Sequence, residues 1–423
     1  MSVDTTGVSP RAADPPDASS PVPVAGVGGQ ASWCRVADPS GCIGPSYQDL
    51  RPLKSVKTQY FPVYDDAVDR LVDLGPHPRP EVAHLLATCA GYAYSEVQTV
   101  ATILARMGLP RARCRYVAQT VEPMFICSRC VVIQSECRRV VIVCYRGTEP
   151  MNLINWLTNA DVQPSTAPFR FTDSQVQAFV HGGFYRNVRS TRHEVVNALA
   201  RAIRGQWVYE PPGGADLVPV PEREELEDRS SPLEAIYITG HSLGGAMAAV
   251  LGLMLRTNRD YEAIFRKVRA IYTFGQPMIG DPDLAARCEN DEELGSRLIR
   301  YIHARDVVPS LPPKPSGEFK HFGQEYRYGA APWLVGSKAV RRLRLDLLWT
   351  AKQGPASRWV RTPATTQLGN AGTFLTSFLP LVARSIRGLK SIPFAYSIED
   401  HAPQKYIDAL RPPDVPTEFG DPS

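Results

Sequence analysis

A serine flanked by glycines is the clearest chemical feature of this sequence. Ser242 stands in the run Gly240-His-Ser-Leu-Gly244, between an apolar, strand-like run (236–239) and an apolar, helix-like run (246–255). A strand that turns sharply into a helix at a serine needs glycine on both sides, because larger residues would clash there. The following helix N-terminus favours negative charge beside the hydroxyl. The pattern predicts a nucleophilic serine for covalent acyl transfer, with a chance match in a glycine-rich loop as the alternative.

A second strand end carries a hydroxyl residue. The apolar run 140–145 is followed by Arg-Gly-Thr148. Acyl transfer creates a negative oxygen that needs one backbone N–H after the nucleophile and another from an earlier strand end. Leu243 and Thr148 occupy those two places, and the Thr148 hydroxyl adds a further donor. Taken alone, this turn would be an ordinary connection between a strand and a loop; beside the Ser242 motif, an oxyanion hole is favoured.

Strand-like and helix-like runs that alternate along the chain must position these residues. The apolar, β-branched runs are MFICSRCVVIQ, RRVVIVCYRG, LEAIYITG, RAIYTFG and LIRYIHARD, and the patterns at 173–203 and 244–257 are helical. The stretch 80–107 predicts two helices with a break near Ser95, closed by Gly108. Buried strands that alternate with helices predict an α/β fold with a mainly parallel central sheet and flanking helices.

Five motifs, taken in their order along the chain, resemble the class 3 (fungal-type) lipases. They are YRGTEP at 145–150, HGGF at 181–184, GHSLGG at 240–245, TFGQPMIGD at 273–281 and RDVVPSLPP at 305–313. The resemblance covers about residues 80–410. It implies an α/β-hydrolase fold with a short lid, action on acylglycerols or phospholipids, and a catalytic triad in the chain order Ser-Asp-His.

The implied order assigns the acid and the base of the triad. Asp306 follows the strand-like run LIRYIHA and precedes prolines that would hold its loop rigid. The earlier Asp281 is instead predicted to cap a helix. Of the two histidines downstream of the acid, His401 lies in a loop before a short C-terminal helix and is the predicted base, whereas His321 is predicted to be structural.

The resemblance also places a lid directly after the oxyanion turn. The run 149–157 combines apolar side chains with the start of a loop. The predicted lid residues are Met151, Leu153, Ile154 and Trp156. They are expected to cover Ser242 in water and to turn towards lipid at an interface. The alternative is a fixed helix that closes the core.

Composition divides the chain into segments of different character. Residues 1–46 are rich in Pro, Gly, Ser and Ala and predict a disordered tail, which leaves 47–415 as the hydrolase domain. Residues 210–229 hold seven acids against two arginines and predict a solvated loop. Residues 338–390 hold ten basic residues and one acid, so this basic segment carries +9 while the rest of the chain carries −5 of the overall +4.

The basic segment also contains an apolar helical face. One face of the pattern holds Phe374, Phe378, Leu381, Val382, Ile386 and Leu389, and the opposite face holds Ser377, Arg384, Arg387 and Ser391. A basic amphipathic pattern of this kind predicts peripheral contact with an anionic membrane. Packing of the helix on the hydrolase domain, with its basic side solvated, is the equal alternative.

Other classes of function find little support. The 423-residue chain is 43% hydrophobic and 21% charged, which excludes wholesale disorder. With a small net charge and no glycine-rich phosphate loop, no nucleic-acid partner is predicted. Cys127-x-x-Cys130 with Cys137 lacks a fourth ligand at suitable spacing, so neither a metal nor another cofactor is predicted.

The sequence therefore predicts a serine carboxylic-ester hydrolase that acts on glycerolipids. A non-lipid serine esterase, thioesterase or peptidase on the same fold is one alternative, and a catalytically silent lipid-binding protein is another. The N-terminus has no signal-peptide pattern, and no apolar run reaches the roughly eighteen residues of a membrane span. We expect a cytoplasmic protein whose contact with membranes is at most peripheral.

Overall fold

The computed structural model describes eleven parts of the chain. They are residues 32–35, 63–95, 97–121, 126–147, 164–171, 174–209, 232–312, 317–329, 358–362, 399–413 and 415. Several predicted features lie outside these residues, namely Thr148, the lid residues Met151, Leu153, Ile154 and Trp156, the acidic loop 210–229, and the basic segment 338–390 apart from 358–362.

The described strands form one large sheet and a separate hairpin. They are β1 (Ser32–Arg35), β2 (Arg113–Val121), β3 (Ile126–Gln134), β4 (Val140–Tyr145), β5 (Pro164–Phe171), β6 (Ser174–His181), β7 (Ala235–His241), β8 (Val268–Phe274), β9 (Leu298–His303), β10 (Gln324–Tyr328) and β11 (Trp359–Thr362). The large sheet has the order β1-β2-β3-β4-β7-β8-β9-β10-β11, and β5 pairs with β6. The ladders from β4 to β10 are parallel, and those at both edges are antiparallel.

Helices cover both faces of the sheet. They are α1 (Ala67–Val72), α2 (Pro80–Tyr92), α3 (Val97–Arg106), α4 (Gly182–Ile203), α5 (Leu243–Thr257), α6 (Glu262–Lys267), α7 (Pro282–Asn290), α8 (Glu292–Arg297) and α9 (Pro403–Leu410). Within the described ranges, none is both long and apolar enough to cross a bilayer. The predicted fold class, an α/β-hydrolase fold with parallel central strands and flanking helices, is confirmed.

Alternate residues of each central strand enter different cores. On β4, Val141 and Val143 pack with α4 and α5, whereas Ile142 and Cys144 pack with α2 and α3 on the opposite face. A strand that is buried on both faces has no solvated side, so its sequence reads as an unbroken apolar run rather than as an alternating one. The central strands could therefore be predicted from length and β-branching.

The break predicted near Ser95 separates two helices as expected. The helix α2 ends at Tyr92, α3 begins at Val97, and Ser95 lies in the turn between them. Gly108 ends the pair with φ of 91°, a left-handed conformation that favours glycine. A Cβ on Gly108 would lie 1.8 Å from the carbonyl oxygen of Tyr64, so the close approach of the two segments also requires glycine.

One stretch with helical periodicity forms a strand instead. Ser174–His181 was predicted to begin a long helix, but it forms β6 and pairs with β5 along its whole length. Ala178 and Val180 are buried while Phe179 is 49% exposed, which is the period of a strand. Hydrogen bonding to a neighbouring strand overrode the local helical pattern, and the helix α4 begins only at Gly182.

A short strand lies within the predicted tail. Ser32–Arg35 forms β1 and pairs antiparallel with residues 113–116 of β2. Without β1, this side of β2 would present unpaired backbone groups at the edge of the sheet. The prediction of disorder does not hold for these four residues, because pairing with an open edge depends on the backbone more than on composition. The other residues of the segment 1–46 lie outside the described parts.

A buried ion pair joins β9 to β10. Arg300 Nη2 lies 3.1 Å from Glu325 Oε2, and each side chain is only 1% exposed. Arg327 and Thr362 also donate to Glu325 Oε1, at 3.4 and 2.9 Å. Burial lowers the pKa of Arg300, and the Glu325 carboxylate compensates the buried guanidinium charge. One carboxylate thus holds groups from β9, β10 and β11 together beside the loop that follows β9.

We predict that Glu325→Gln lowers the free energy of unfolding by about 3–5 kcal/mol, because Arg300 would keep a buried charge without a carboxylate. Glu293→Gln is the control, since Glu293 pairs with Arg297 at 3.8 Å while 54% exposed. Such exposed pairs contribute at most about 1 kcal/mol. Urea unfolding measures both losses, and equal losses would contradict the prediction.

Candidate active site

Ser242 lies on a strained turn between β7 and α5. Its backbone has φ of 59° and ψ of −129°, a region that residues other than glycine rarely adopt. The Ser242 N–H donates to the carbonyl oxygen of Phe274 at 2.8 Å, which ties the turn to the end of β8. The serine is thus held at the carboxyl edge of the central parallel strands, as its motif predicts.

The glycines of the motif are required by backbone packing. A Cβ on Gly240 would lie 2.3 Å from the carbonyl oxygen of Gly244, and a Cβ on Gly244 would lie 2.3 Å from that of Tyr145. These approaches bring the start of α5 against the ends of β7 and β4. The spacing of the motif therefore encodes the contact of three elements.

Asp306 and His401 form a buried hydrogen-bonded pair. The Nδ1–H of His401 donates to Asp306 Oδ2 at 2.8 Å, and both side chains are almost completely buried. The backbone N–H of Val308 donates to Asp306 Oδ1 at 2.9 Å, and the Tyr406 hydroxyl donates to Oδ2 at 2.5 Å. The three donors on its two oxygens fix the orientation of the carboxylate.

The reactive atoms of Ser242 and His401 make no hydrogen bonds within the described parts of the chain. Ser242 Oγ and His401 Nε2 are both buried, and neither makes a hydrogen bond to a described residue. Both residues adjoin the end of β8: Ser242 bonds to Phe274, and the His401 ring lies against Gly275. A serine hydroxyl beside a histidine nitrogen whose other nitrogen is bound to a carboxylate can act as a nucleophile and its base.

His241 supports the pair from the side of β7. Its Nε2–H donates to the carbonyl oxygen of His401 at 2.7 Å, and its Nδ1 accepts from the Tyr94 hydroxyl at 3.3 Å. The rings of His241 and His401 lie 4.5 Å apart. Burial holds the pKa of His241 well below its usual range, so it stays neutral and does not repel a protonated His401. The sequence showed this residue only as the variable position of the motif.

Gly275 is a further site residue that sequence reasoning missed. It has φ of 61°, and a Cβ there would lie 2.8 Å from both Asp306 Oδ2 and His401 Nδ1. The hydrogen bond between acid and base therefore runs directly across this glycine. The run TFGQ, in which a glycine directly follows a strand, was the only available signal, and it did not indicate what the glycine contacts.

The competing acid and histidine have other partners. Asp281 caps α7 by accepting from the Leu284 N–H at 2.8 Å, which confirms its predicted role. The Nε2–H of His321 donates to the carbonyl oxygen of Pro309 at 2.7 Å, and burial holds the pKa of His321 well below its usual range. His321 thus steadies the loop after Asp306 instead of meeting Ser242.

One of the two predicted oxyanion donors lies in the described residues. Leu243 is the first residue of α5, where backbone N–H groups have no acceptor within the helix. Gly147, at the end of β4, packs so closely that a Cβ would lie 2.5 Å from the carbonyl oxygen of His241. The chain that follows β4 therefore passes beside the serine turn at Gly147. The next residue, Thr148, is outside the described parts.

In the part of the chain that the structure describes, no three His, Cys, Asp or Glu side chains lie close enough to hold a metal ion. Of the cysteines singled out by spacing, Cys130 is buried on β3 and Cys137 is exposed in the turn before β4.

We predict that Gly275→Ala slows modification of Ser242 by a fluorophosphonate about 100-fold, because the new methyl group would push His401 away from Asp306. Gly329→Ala is the matched control: Gly329 also has positive φ, at 57°, but a Cβ there would meet nothing within 4 Å. Both variants carry backbone strain of about 1–2 kcal/mol. Retention of the wild-type labelling rate by Gly275→Ala would refute the arrangement.

Comparisons with known proteins match this chain to lipases and a phospholipase. The model of the class 3 lipases, "Lipase (class 3)", matches residues 222–316, which include Ser242 and Asp306. The triacylglycerol lipase OBL1 of Ricinus communis is 27% identical over 206 residues, 44% of this chain and 37% of that protein. Phospholipase A1-II 6 of Oryza sativa subsp. japonica is 28% identical, over 50% of this chain and 48% of its own length.

The fungal relatives are similar at the same level. The lipase of Rhizomucor miehei is 26% identical over 50% of this chain and 47% of its own length. A solved structure of that triacylglyceride lipase covers 77% of this chain and 95% of its own, at 18% identity and a TM-score of 0.44. The chain spans about half or less of the length of these curated relatives. The family model matches residues 222–316 and the relatives match about half of this chain, so over this part the chain is similar to the class 3 lipases.

Proposed function

We propose that this protein is a serine carboxylic-ester hydrolase that cleaves acyl esters of glycerolipids through an acyl-enzyme intermediate. The observation that carries the proposal is the buried Asp306–His401 hydrogen bond of 2.8 Å beside a serine held at φ of 59°. In this arrangement a base of fixed tautomer and a buried nucleophile on a strained turn both adjoin the end of β8.

Acylation uses the three side chains in sequence. Ser242 Oγ attacks the ester carbonyl carbon while His401 Nε2 takes its proton, so a tetrahedral intermediate and an imidazolium form together. Asp306 accepts from the imidazolium at Nδ1 and stabilises its charge without taking the proton. The C–O bond to the alcohol then breaks, and the alcohol leaves with the proton from His401 Nε2.

Deacylation repeats the steps with water as the nucleophile. His401 removes a proton from water, the resulting hydroxide attacks the acyl-enzyme, and Ser242 departs with that proton as the fatty acid is released. The backbone N–H groups of Leu243 and Thr148 are proposed to bind the negative oxygen in both halves of the reaction. One such donor changes kcat by about 10²–10³-fold.

Glycerolipids are the proposed substrates because of the relatives' names and the apolar run after Thr148. The matched proteins are called triacylglycerol lipase, phospholipase A1 and lipase. Met151, Leu153, Ile154 and Trp156 are proposed to form a lid over Ser242. Opening of such a lid at a lipid surface would raise activity as substrate aggregates.

We predict that Ser242→Ala and His401→Ala each lower kcat on a soluble short-chain ester by about 10⁴-fold or more, because either change removes the covalent route. His321→Ala is the matched control, since it is also a buried histidine on the loop after β9 but faces Pro309. It should keep kcat within a few-fold and instead lower stability by about 1–3 kcal/mol.

The same preparation separates the alternatives. A fluorophosphonate that labels wild-type protein but not Ser242→Ala would exclude a catalytically silent protein. Higher kcat/KM for glycerol esters than for thioesters or peptides would then separate a lipase from other serine hydrolases. Turnover that survives in Ser242→Ala, or a preference for peptides, would overturn the proposal.

We also propose that the basic segment 338–390 binds anionic membranes peripherally. Its charge of +9 on a chain otherwise at −5, together with the apolar face that ends at Leu389, supports this contact. Anionic lipid attracts each basic residue near the surface by about 1 kcal/mol, and insertion of apolar side chains adds to this.

Charge reversal at Arg384, Arg387 and Lys390 is predicted to weaken binding to anionic vesicles at least about 10-fold while hydrolysis of a soluble ester is retained. The control reverses three exposed arginines elsewhere, namely Arg259, Arg266 and Arg287. Sedimentation with vesicles measures the binding of both charge-reversal variants. It is repeated at increasing salt, because screening weakens electrostatic attraction to the lipid. Equal binding to neutral and anionic vesicles at all salt concentrations would show that the segment packs on the domain.

A further inference from the structure

The strand β11, residues 359–362 of the basic segment, lies beside the catalytic region. It pairs antiparallel with β10, so that Trp359 stands opposite Tyr328 and Thr362 opposite Glu325. The Thr362 hydroxyl donates to Glu325, which fixes one end of β11 to the buried ion pair of β9 and β10. The other end, at Trp359, lies under α9.

Trp359 binds α9 through both its ring and its nitrogen. The indole Nε1–H donates to the carbonyl oxygen of Ala409 at 2.9 Å, one of the last carbonyls of α9 that have no acceptor role within the helix. The indole also stacks on Tyr406, with centroids 6.3 Å apart, and its edge meets Tyr301 of β9 at 4.9 Å. It therefore fills the space between the sheet and the face of α9 that carries Tyr406.

Tyr406 connects this contact to the acid of the site. Its hydroxyl donates to Asp306 Oδ2, the same oxygen that accepts from His401. The adjacent residue of α9, Ile407, packs so closely on α2 that a Cβ at Gly91 would meet it at 2.8 Å. Contact with α2 thus places the helix, while Trp359 supports the face from which Tyr406 reaches the carboxylate.

We propose that Trp359 is a positioning residue for the Asp306–His401 pair and that it acts through Tyr406. The proposal rests on the proposed function of His401 as the general base. A donor on Asp306 Oδ2 shares the negative charge that would otherwise act on the imidazolium alone. When Trp359 is altered, Tyr406 loosens, the carboxylate attracts a protonated His401 more strongly, and His401 holds its proton to higher pH.

The other ionisable groups around the pair are few in the described residues. His241 faces His401 from β7, and burial keeps it neutral. His303 of β9 lies 3.7 Å from Asp400, and burial lowers its pKa. The positive charge of Arg327 acts on the pKa of Tyr406, and that of Lys405 acts on the pKa of His303. Trp359→Phe touches none of these charges, so a change in titration would reach His401 through the Tyr406 contact.

The test compares pH profiles of kcat/KM on a soluble ester for wild type and Trp359→Phe, which keeps an aromatic ring but removes the N–H donor. We expect kcat to fall about 3–10-fold with KM unchanged, and the acidic limb to move up by about half a pH unit. Trp207→Phe is the matched control, because Trp207 is also half-buried but stacks on Arg113 at the opposite edge of the sheet. It should leave the profile unchanged.

A double-mutant cycle tests the route of the effect. In the Tyr406→Phe background, which has already lost the donor to Asp306, Trp359→Phe should cause no further shift. Equal shifts in both backgrounds, no shift in Trp359→Phe, or an equal shift in Trp207→Phe would each overturn the proposal.

Titration of the His401 imidazole by NMR provides a readout that needs no turnover. Its midpoint should rise in Trp359→Phe by the same half pH unit or so. If wild type shows no turnover that depends on Ser242, the proposed function is refuted. If the midpoint of the His401 imidazole titration is unchanged in Trp359→Phe, the role of Trp359 is refuted. The two failures are therefore distinguishable.

Discussion

The hydrogen bond between Asp306 and His401 is the constraint on which the rest of the site depends. It joins residues 95 positions apart in the chain, in a place where both side chains are almost completely buried. A carboxylate is costly to bury unless donors surround it, and here Val308 and Tyr406 complete the set. Each donor comes from an element that must itself be held, so the loop after β9 and the helix α9 are organised around one carboxylate.

A second constraint acts at the serine turn. Ser242 has the strained backbone, and the packing of Gly240 and Gly244 against neighbouring carbonyl oxygens leaves the chain no other path. The same edge of the sheet carries Gly275, which lets the acid and base cross directly over the end of β8. Strain and close packing at this corner are tolerated because the central strands behind it are buried on both faces.

Buried polar groups beyond the site serve to hold its supports. The carboxylate of Glu325 gathers charged and hydroxyl groups from three neighbouring strands, and His321 bonds to the backbone of the loop that follows Asp306. Around Tyr301, aromatic rings of β8, β10 and β11 are in contact, and Trp359 of β11 stacks on Tyr406 of α9. The catalytic region is thus continuous with β11, residues 359–362 of the basic segment.

The sequence by itself determined the strand–turn–helix at Ser242, the alternation of buried strands with helices, the two helices of 80–107 and the cap at Asp281, because each depends on neighbouring residues and their spacing. Only the tertiary structure decided that Tyr406 and His401 share one oxygen of Asp306, that Gly275 lies beneath them, and that 174–181 forms a strand. These features depend on which distant segments meet, and a local pattern of apolar residues does not specify which distant segment it will contact.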